Sequence, residues 1–460
     1  MDKELTDGAI RAVFANAGDF VAREMLCGSQ QVYVYMIDGL IAGVTASDLV
    51  FKPLSRMPEL PAEALYRRAL TGSVYNNVAA DCQDLADAVN KLVNGFCVVL
   101  FPGVGAVAFE TKTPEKRSIA PPEVESTVKG PKDAFTETMR TNTSLLRRHL
   151  RTEKLCLYQT TVGSATRTNV TVAWIDGITD PVLVQRMKAR LSELETESFL
   201  SPAEVEELVT GNRKTPFPLL QYTERTDKFA RGLLSGRVGL LVDGLPLGYL
   251  LPVDLGYLMT SPEDLGMDYV SASFIRVLRW GAMLLSLLLP AVYVALAMFH
   301  QQMIPLPLLR AIIDSKANVP FSAVGEVLGL LLAFELLQEA GLHLPRSVGQ
   351  SVSIIGGIVV GTAAVEASLI SPAALIVVSL AGISGFAMPN RDLAEALRLF
   401  RFVFALLGAY AGLFGVTVGV IGLVIHLSAL ESLGEGYLNP FSRGGKLGLL
   451  RKRSGKEKGC

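Results

Sequence analysis

The sequence is poor in the residues from which metal sites, disulfide frameworks and nucleic-acid grips are built. Its 460 residues include five cysteines (Cys27, Cys82, Cys97, Cys156 and Cys460), odd in number and scattered, with no CxxC and no Cys/His pairing. That usage suits a reducing compartment and excludes a zinc module or a disulfide scaffold. The four histidines, His149, His300, His343 and His426, lie far apart without ligand spacing. No charge of one sign dominates either: 43 Lys and Arg face 44 Asp and Glu, a net charge of −1, so there is no basic field to gather nucleic acid and no such partner is expected. Residues 1–20 lack the basic start and apolar stretch of a secretory signal, which predicts a cytoplasmic N-terminus. No nucleophile, base and orienting group can be assembled, so the expectation is a protein that is not an enzyme and carries no cofactor.

What the chain does have is a break near Ser273, after which long apolar runs dominate. Half of the residues are hydrophobic, and they are segregated. Gly281–Phe299, Ser351–Ile370, Pro372–Met388 and Phe402–Leu427 each approach the roughly 20 apolar residues with which a helix crosses about 30 Å of hydrocarbon. The reading is a cytoplasmic α/β domain over residues 1–270, an all-α polytopic transmembrane domain over 271–430, and a basic tail over 431–460. The tail carries Arg443, Lys446, Arg451, Lys452, Arg453, Lys456 and Lys458 against Glu457, and a Lys/Arg excess marks the cytoplasmic side. With both ends cytoplasmic the number of crossings is even. Four spans satisfy this, with Ser322–Ala340, which carries Glu326, Glu335 and Glu339, as a re-entrant or interfacial helix.

The polar half contains one pattern twice. Tyr33–Leu40 (YVYMIDGL) and Thr171–Ile178 (TVAWIDGI) are alternating strands running into Asp-Gly turns. Each is followed by a helical stretch, Leu85–Val93 and Val182–Leu194, and then by a strand pair, Gly95–Glu110 and Gly236–Pro252. Two similar α/β subdomains are expected, over about 30–115 and 155–260. A connecting arm over 111–150, with a helical second part, lies across both, and a second connector, Ser198–Asp227, loops over the surface. Pro102–Gly105 sits between two strands and reads as a hairpin, not a phosphate cradle. Arg147, Arg148 and Arg151 read as a solvated basic face.

Two patterns in the apolar half carry chemistry. Gly408, Gly412, Gly415, Gly419 and Gly422 are spaced 4-3-4-3, which places them on one face of a helix where another helix can come close, and Gly357 with Gly361 forms a GxxxG pair. Acids inside apolar segments are the sharper signal, because an ionised carboxylate in hydrocarbon costs about 2.5–3.5 kcal/mol even on the lenient scale. Glu326 fits the first turn of its helix, where the dipole favours an anion. Glu335, Glu339 and Glu366, with Thr362 one turn before Glu366, are candidates for a water-filled cation pathway; pairing to Arg310, His343 or Arg346 and snorkelling to the interface are the alternatives. Three classes stay open on these residues: a channel subunit, a secondary transporter, and a membrane-anchored scaffold.

The stretches PPEVESTVKGPKDAFTETMRTNTSLLRRHLR, TERTD, GRVGLLVDGLP, SFIRVLRW, LLPAVYVALAMFHQQMIP, FELLQEAGLHLP and SVSIIGGIVVGTAAVEA, collinear from about Arg117 to Pro440, resemble the A-subunit family of spore germination receptors, the GerA type. Asp133 stands where that family usually has Glu, and Thr226 where Pro usually follows the Arg of TER. The resemblance extends to a paralogous class, the stage V sporulation AF type. It implies a spore inner-membrane protein that assembles with a transporter-like B subunit and a lipoprotein C subunit. It also implies that A subunits form a homo-oligomer in the lipid bilayer around a channel, releasing monovalent cations when nutrient is sensed.

Overall fold

The computed structural model describes residues 4–72, 74, 78–112, 122, 125, 130–211, 215–343 and 361–438. The chain divides into two compact units, Met1–Asn212 with Leu220–Pro252, and Arg213–Leu219 with Val253–Cys460. The boundary therefore falls at residue 252, not 270, and a short piece of the expected surface connector belongs with the helical unit.

The first unit holds two five-stranded antiparallel sheets. One contains β1 (Phe20–Cys27), β2 (Gln30–Ile37), β3 (Ala79–Cys82), β4 (Phe96–Phe101) and β5 (Gly105–Glu110), in the spatial order β1-β2-β4-β5-β3. Alternation along β4 and β5 decides its layers. Cys97, Val99, Phe101, Val107 and Phe109 point to one face, against Ala46, Val50, Leu54, Leu65 and Ala69. Val98, Leu100, Ala106 and Ala108 point to the other, against Ile10, Phe14, Leu85, Ala88 and Leu92. Burial on both faces explains why these strands are apolar at almost every position.

The other sheet contains β6 (Leu155–Val162), β7 (Thr168–Ile175), β8 (Gln221–Thr223), β9 (Val238–Val242) and β10 (Gly248–Leu251), in the order β6-β7-β9-β10-β8. Strand for strand this is the same arrangement. The Asp-Gly pairs occupy equivalent places: Asp38 N–H donates to the Asp19 carbonyl and Asp176 N–H to the Lys154 carbonyl, both at 2.8 Å, each carbonyl lying just before the first strand of its own sheet. Gly39 (φ +85) and Gly177 (φ +77) then take the left-handed conformation that turns the chain out of the sheet. These turns lead to helices. The hairpins lie elsewhere, between β1 and β2, between β6 and β7, at Pro102–Gly105, where Phe101 pairs with Gly105, and at Asp243-Gly244 between β9 and β10.

The helix correspondence differs from the expected one. Leu85–Val93, which leads into β4, matches Thr226–Leu234, which leads into β9. Pro181–Ser192 instead matches the helices that follow β2. The first repeat also begins before residue 30, with the helix Asp7–Val13 and strand β1. Nor is Ser198–Asp227 a surface loop: it holds the helix Pro202–Thr210, whose capping box joins Ser201 and Glu204, and strand β8. Its apolar residues Phe199 and Leu220 are fully buried.

The helical unit consists mainly of Tyr269–Met298, Leu306–Lys316, Ala323–His343, Pro372–Phe386 and Arg391–Ala429. Close contacts give their directions. Ser286 meets Arg401, Ala291 meets Gly408 and Phe299 meets Gly412, so the first helix and the start of the last run parallel. At Ala411 (φ −131, ψ 18) and Gly412 (φ 58, ψ −144) the helical backbone breaks. The chain then doubles back: Gly415 lies against the Leu407 carbonyl, Gly419 against Phe404, and the Phe400 and His426 rings are 6.4 Å apart. The expected single span Phe402–Leu427 is thus a helical hairpin. Its arms, 391–410 and 413–429, are about 30 and 25 Å long at 1.5 Å per residue.

Ala323–His343 runs the other way, with Val327 clustered near Tyr293 and Ala405 and Glu335 near Arg398. Its 21 residues extend about 31 Å. The unit's two ends come together: Leu255 N–H donates to the Tyr437 carbonyl at 3.1 Å, and Ser432 Oγ accepts from Val253 N–H at 3.0 Å and donates to the Leu219 carbonyl at 2.6 Å. Tyr269–Met298 and Arg391–Ala429 are long and apolar enough to cross a membrane, the second only as a hairpin. Pro372–Phe386, at 15 residues, covers about 22 Å, less than the hydrocarbon thickness. Most of the Ser351–Ile370 run, and the basic tail beyond residue 438, lie outside the described residues.

Candidate pore, packing and latch residues

The candidate acids of the helical unit differ in burial. Glu326 is in the first turn of its helix, but it is buried and partnered: Lys316 Nζ lies 2.8 Å away and Ser371 N–H donates to it at 2.8 Å. Its carboxylate therefore also caps the helix Pro372–Phe386. Glu335 pairs with Arg398 at 3.4 Å, a residue 63 positions later and none of the three expected partners. Arg346 lies outside the described residues, as does the His343 side chain. Glu339, Thr362 and Glu366 are all exposed, and Glu366 has no ion pair among the described residues.

The glycine stripe does not form one face. Gly408 approaches Tyr269–Met298 so closely that a Cβ would lie 2.6 Å from the Ala291 carbonyl oxygen. Gly412 is the reversal point, while Gly415 and Gly419 face the other arm of their own hairpin. A Cβ on Gly422 would meet nothing within 4 Å. Gly361 lies near Leu375, and its GxxxG partner Gly357 falls outside the described residues.

The polar unit contains a latch that sequence reasoning missed. Arg147 is fully buried and grips Asp19 with two hydrogen bonds, Nε at 2.8 Å and Nη2 at 2.7 Å. The expected solvated basic face is therefore confined to Arg148 and Arg151. Around this pair the two sheets join: Gly18 N–H donates to the Leu157 carbonyl at 2.8 Å and Leu157 N–H to the Asn16 carbonyl at 3.1 Å, so residues 16–18 extend the edge of β6. The helix Met139–His149 lies across both repeats, with Arg140 on Asp38 at 2.9 Å and the Met139 N–H on Asp243 at 2.9 Å. The bidentate arginine and its carboxylate lie 128 residues apart, a separation no local pattern signals.

A second cluster ties the arm to β8. Arg225, also buried, pairs with Asp227 at 2.8 and 3.0 Å and donates to the Glu125 carbonyl at 3.4 Å; Lys228 holds the Glu125 carboxylate at 2.6 Å. Asp133, His149 and Thr226 meet beside it, with His149 Nε2 2.5 Å from Asp133 Oδ2 and 3.0 Å from Thr226 Oγ1. Thr226 also donates to Asp133. The hydrogen bond from His149 holds Asp133 down at about 2, and the same bond raises His149, partly opposed by burial. A depressed acid stabilises the fold above its unfolded value near 3.9, and a raised histidine does so below its unfolded value near 6.5. The pair thus contributes fully between about pH 4 and 6.5, and weakens as pH rises through the His149 value. The stability advantage of the wild type over His149→Gln is expected to be about 1 kcal/mol at pH 6 and to shrink by pH 9. Denaturation at both pH values checks this, and an equal difference at both would exclude an ionic pair.

Among the described residues no group of His, Cys, Asp and Glu could hold a metal ion, and Cys27, Cys82, Cys97 and Cys156 are buried free thiols. Burial pushes Cys27 up to about 11 and Cys97 to about 12, which leaves them inert.

The sequence profile of the Bacillus/Clostridium GerA spore germination protein family matches residues 8–450. Spore germination protein KA of Bacillus subtilis (strain 168) is 35% identical over 445 residues, covering 95% of this chain and 82% of that protein. The uncharacterized membrane protein YfkQ of the same organism is 34% identical, covering 95% and 85%. Spore germination protein GerLA of Bacillus cereus is 31% identical, covering 94% and 89%. Among solved structures, the N-terminal domain of the A subunit of the Bacillus megaterium spore germinant receptor GerK3 is 26% identical, with a TM-score of 0.41, covering 53% of this chain and 91% of that domain.

Proposed function

The chain belongs to the Bacillus/Clostridium GerA spore germination protein family, and from that premise we propose that it is the A subunit of a spore germinant receptor whose helical units assemble around a cation-conducting path. In this reading it works in the spore inner membrane with a transporter-like B subunit and a lipoprotein C subunit, and both termini are cytoplasmic. The adjacency of Leu255 and Tyr437 supports an even number of crossings, because a chain that enters and leaves a bundle at one place has returned to its starting side. The hairpin at Gly412 adds a pass in each direction.

One observation carries the reading: Glu366, at the end of a helical stretch among apolar residues, is exposed with no ion pair among the described residues. An ionised carboxylate facing lipid costs about 2.5–3.5 kcal/mol or more. A face of this kind is stable where water covers it, and several copies around an axis provide that water. A ring of carboxylates concentrates cations and repels anions, and Thr362, one turn earlier, adds a polar step. Glu366→Gln keeps the size and removes the charge. It is expected to insert and assemble normally while its cation over anion preference falls several-fold, measured as reversal potential in planar bilayers with the partner subunits present. Unchanged selectivity in an assembled Glu366→Gln receptor would remove this residue from the path.

A further inference from the structure

The arginines at the centre of the helical unit are unequally supplied. Arg398, part-exposed, has three acceptors: Glu335 at 3.4 Å, Gln338 and Glu395 at 4.0 Å. Arg401 lies three residues further on, one turn deeper and on nearly the same face. It is only 2% exposed, yet among the described residues its one hydrogen bond runs from Nη2 to Ser286 Oγ at 2.6 Å, and Nε and Nη1 have no partner there. Buried donors left empty are costly, and for a guanidinium the cost is higher still. An acid stands one turn away: Glu335, held by Arg398 on the same helix face.

We propose that Glu335 has two arginine seats, and that the helix Ala323–His343 slides along the Arg391–Ala429 helix to carry its carboxylate from Arg398 to Arg401. The step between seats is three residues, about 4.5 Å at 1.5 Å per residue, within the range of known helix ratchets. Leaving Arg398 does not strand it, because Glu395, on Arg398's own helix and shared with Arg391, stays within 4.0 Å. Arriving at Arg401 fills two buried donors. The same slide draws the buried Glu326 away from Ser371 N–H at the other end of the helix, a contact given up against the two donors filled at Arg401. The two seats need only the helical unit; that the slide opens a cation path rests on the function proposed above.

The test uses the full chain with Cys460 replaced by serine and the four buried thiols left in place. Nitroxide labels sit at Leu336→Cys and Leu399→Cys, positions that are exposed. In phosphatidylglycerol/phosphatidylethanolamine vesicles loaded with rubidium, electron–electron resonance distances and rubidium leak are measured on the same samples. Arg398→Gln is expected to shift the distance by up to about 4.5 Å, and adding Arg401→Gln or Glu335→Gln to abolish the shift. An unchanged distance in Arg398→Gln overturns the proposal, as does a shift that persists without Arg401. Arg401→Lys, which keeps the charge, guards against misfolding: combined with Arg398→Gln it must retain a shift. A shift without added rubidium leak leaves the two seats standing and counts against the channel reading.

Discussion

Arg147→Met is expected to destabilise the polar unit by about 3–5 kcal/mol, the largest effect of any single substitution there. Arg147 is 0% exposed and the Asp19 side chain 3%, so truncating the arginine leaves a carboxylate in the interior without a counter-charge. The Thr152 carbonyl, which accepts from Nη1 at 3.3 Å, loses its donor too. Because Asp19 immediately precedes β1, and residues 16–18 pair with β6, the injury reaches both sheets. Adding Asp19→Leu removes the stranded charge and should restore most of the loss, since a well-packed apolar pair can replace a buried ion pair at little cost. Chemical denaturation followed at Trp174, which packs in the second sheet, provides the measurement. A double variant no more stable than Arg147→Met would show that packing around the arginine, and not its charge, supplies the stability.

The parts of this fold that could be read from sequence are those whose physics is local. β4, β5, β9 and β10 are apolar runs bounded by glycine, and the Asp-Gly pairs mark the ends of β2 and β7. β1 escaped because it is an edge strand: Arg23 and Glu24 are exposed, and no apolar run announces it. β3 and β8, at four and three residues, are too short to show a period. The equivalence of Leu85–Val93 with Thr226–Leu234 was hidden because the helices inserted after β2 and β7 differ between the repeats. Among the site residues, helical spacing grouped the five glycines correctly for a straight helix, but the reversal at Ala411–Gly412 depends on tertiary contacts, with no proline to mark it. The partners of Glu335 and Arg147 come from 63 and 128 positions away, and a one-dimensional scan looks nearby, at Arg310, His343 and Arg346 for the first and at solvent for the second.

Gly408→Ala should lower the stability of the helical unit by about 1–3 kcal/mol, whereas Gly422→Ala should raise it slightly. In a helix interior, alanine is favoured over glycine by up to about 1 kcal/mol when nothing intervenes. At Gly422 nothing does, since a Cβ there meets no atom within 4 Å. At Gly408 the added Cβ would lie 2.6 Å from the Ala291 oxygen and 3.3 Å from its carbonyl carbon. Both belong to backbone, so no rotamer change can relieve the contact, and the helices must part. They are held in register on both sides of it, by Arg401 on Ser286 below and by Gly412 against Phe299 and His300 above. Separation would therefore disturb the hairpin apex and the central arginine together, and Gly408→Leu should yield no folded protein. Thermal unfolding of the detergent-solubilised chain reads both alanine variants. If Gly408→Ala proves as stable as Gly422→Ala, the close approach is wrong. If Gly422→Ala leaves the monomer intact but weakens the oligomer, that open glycine face is where a neighbouring copy packs, and the stripe serves two contacts: one inside the chain at Gly408 and one between chains at Gly422.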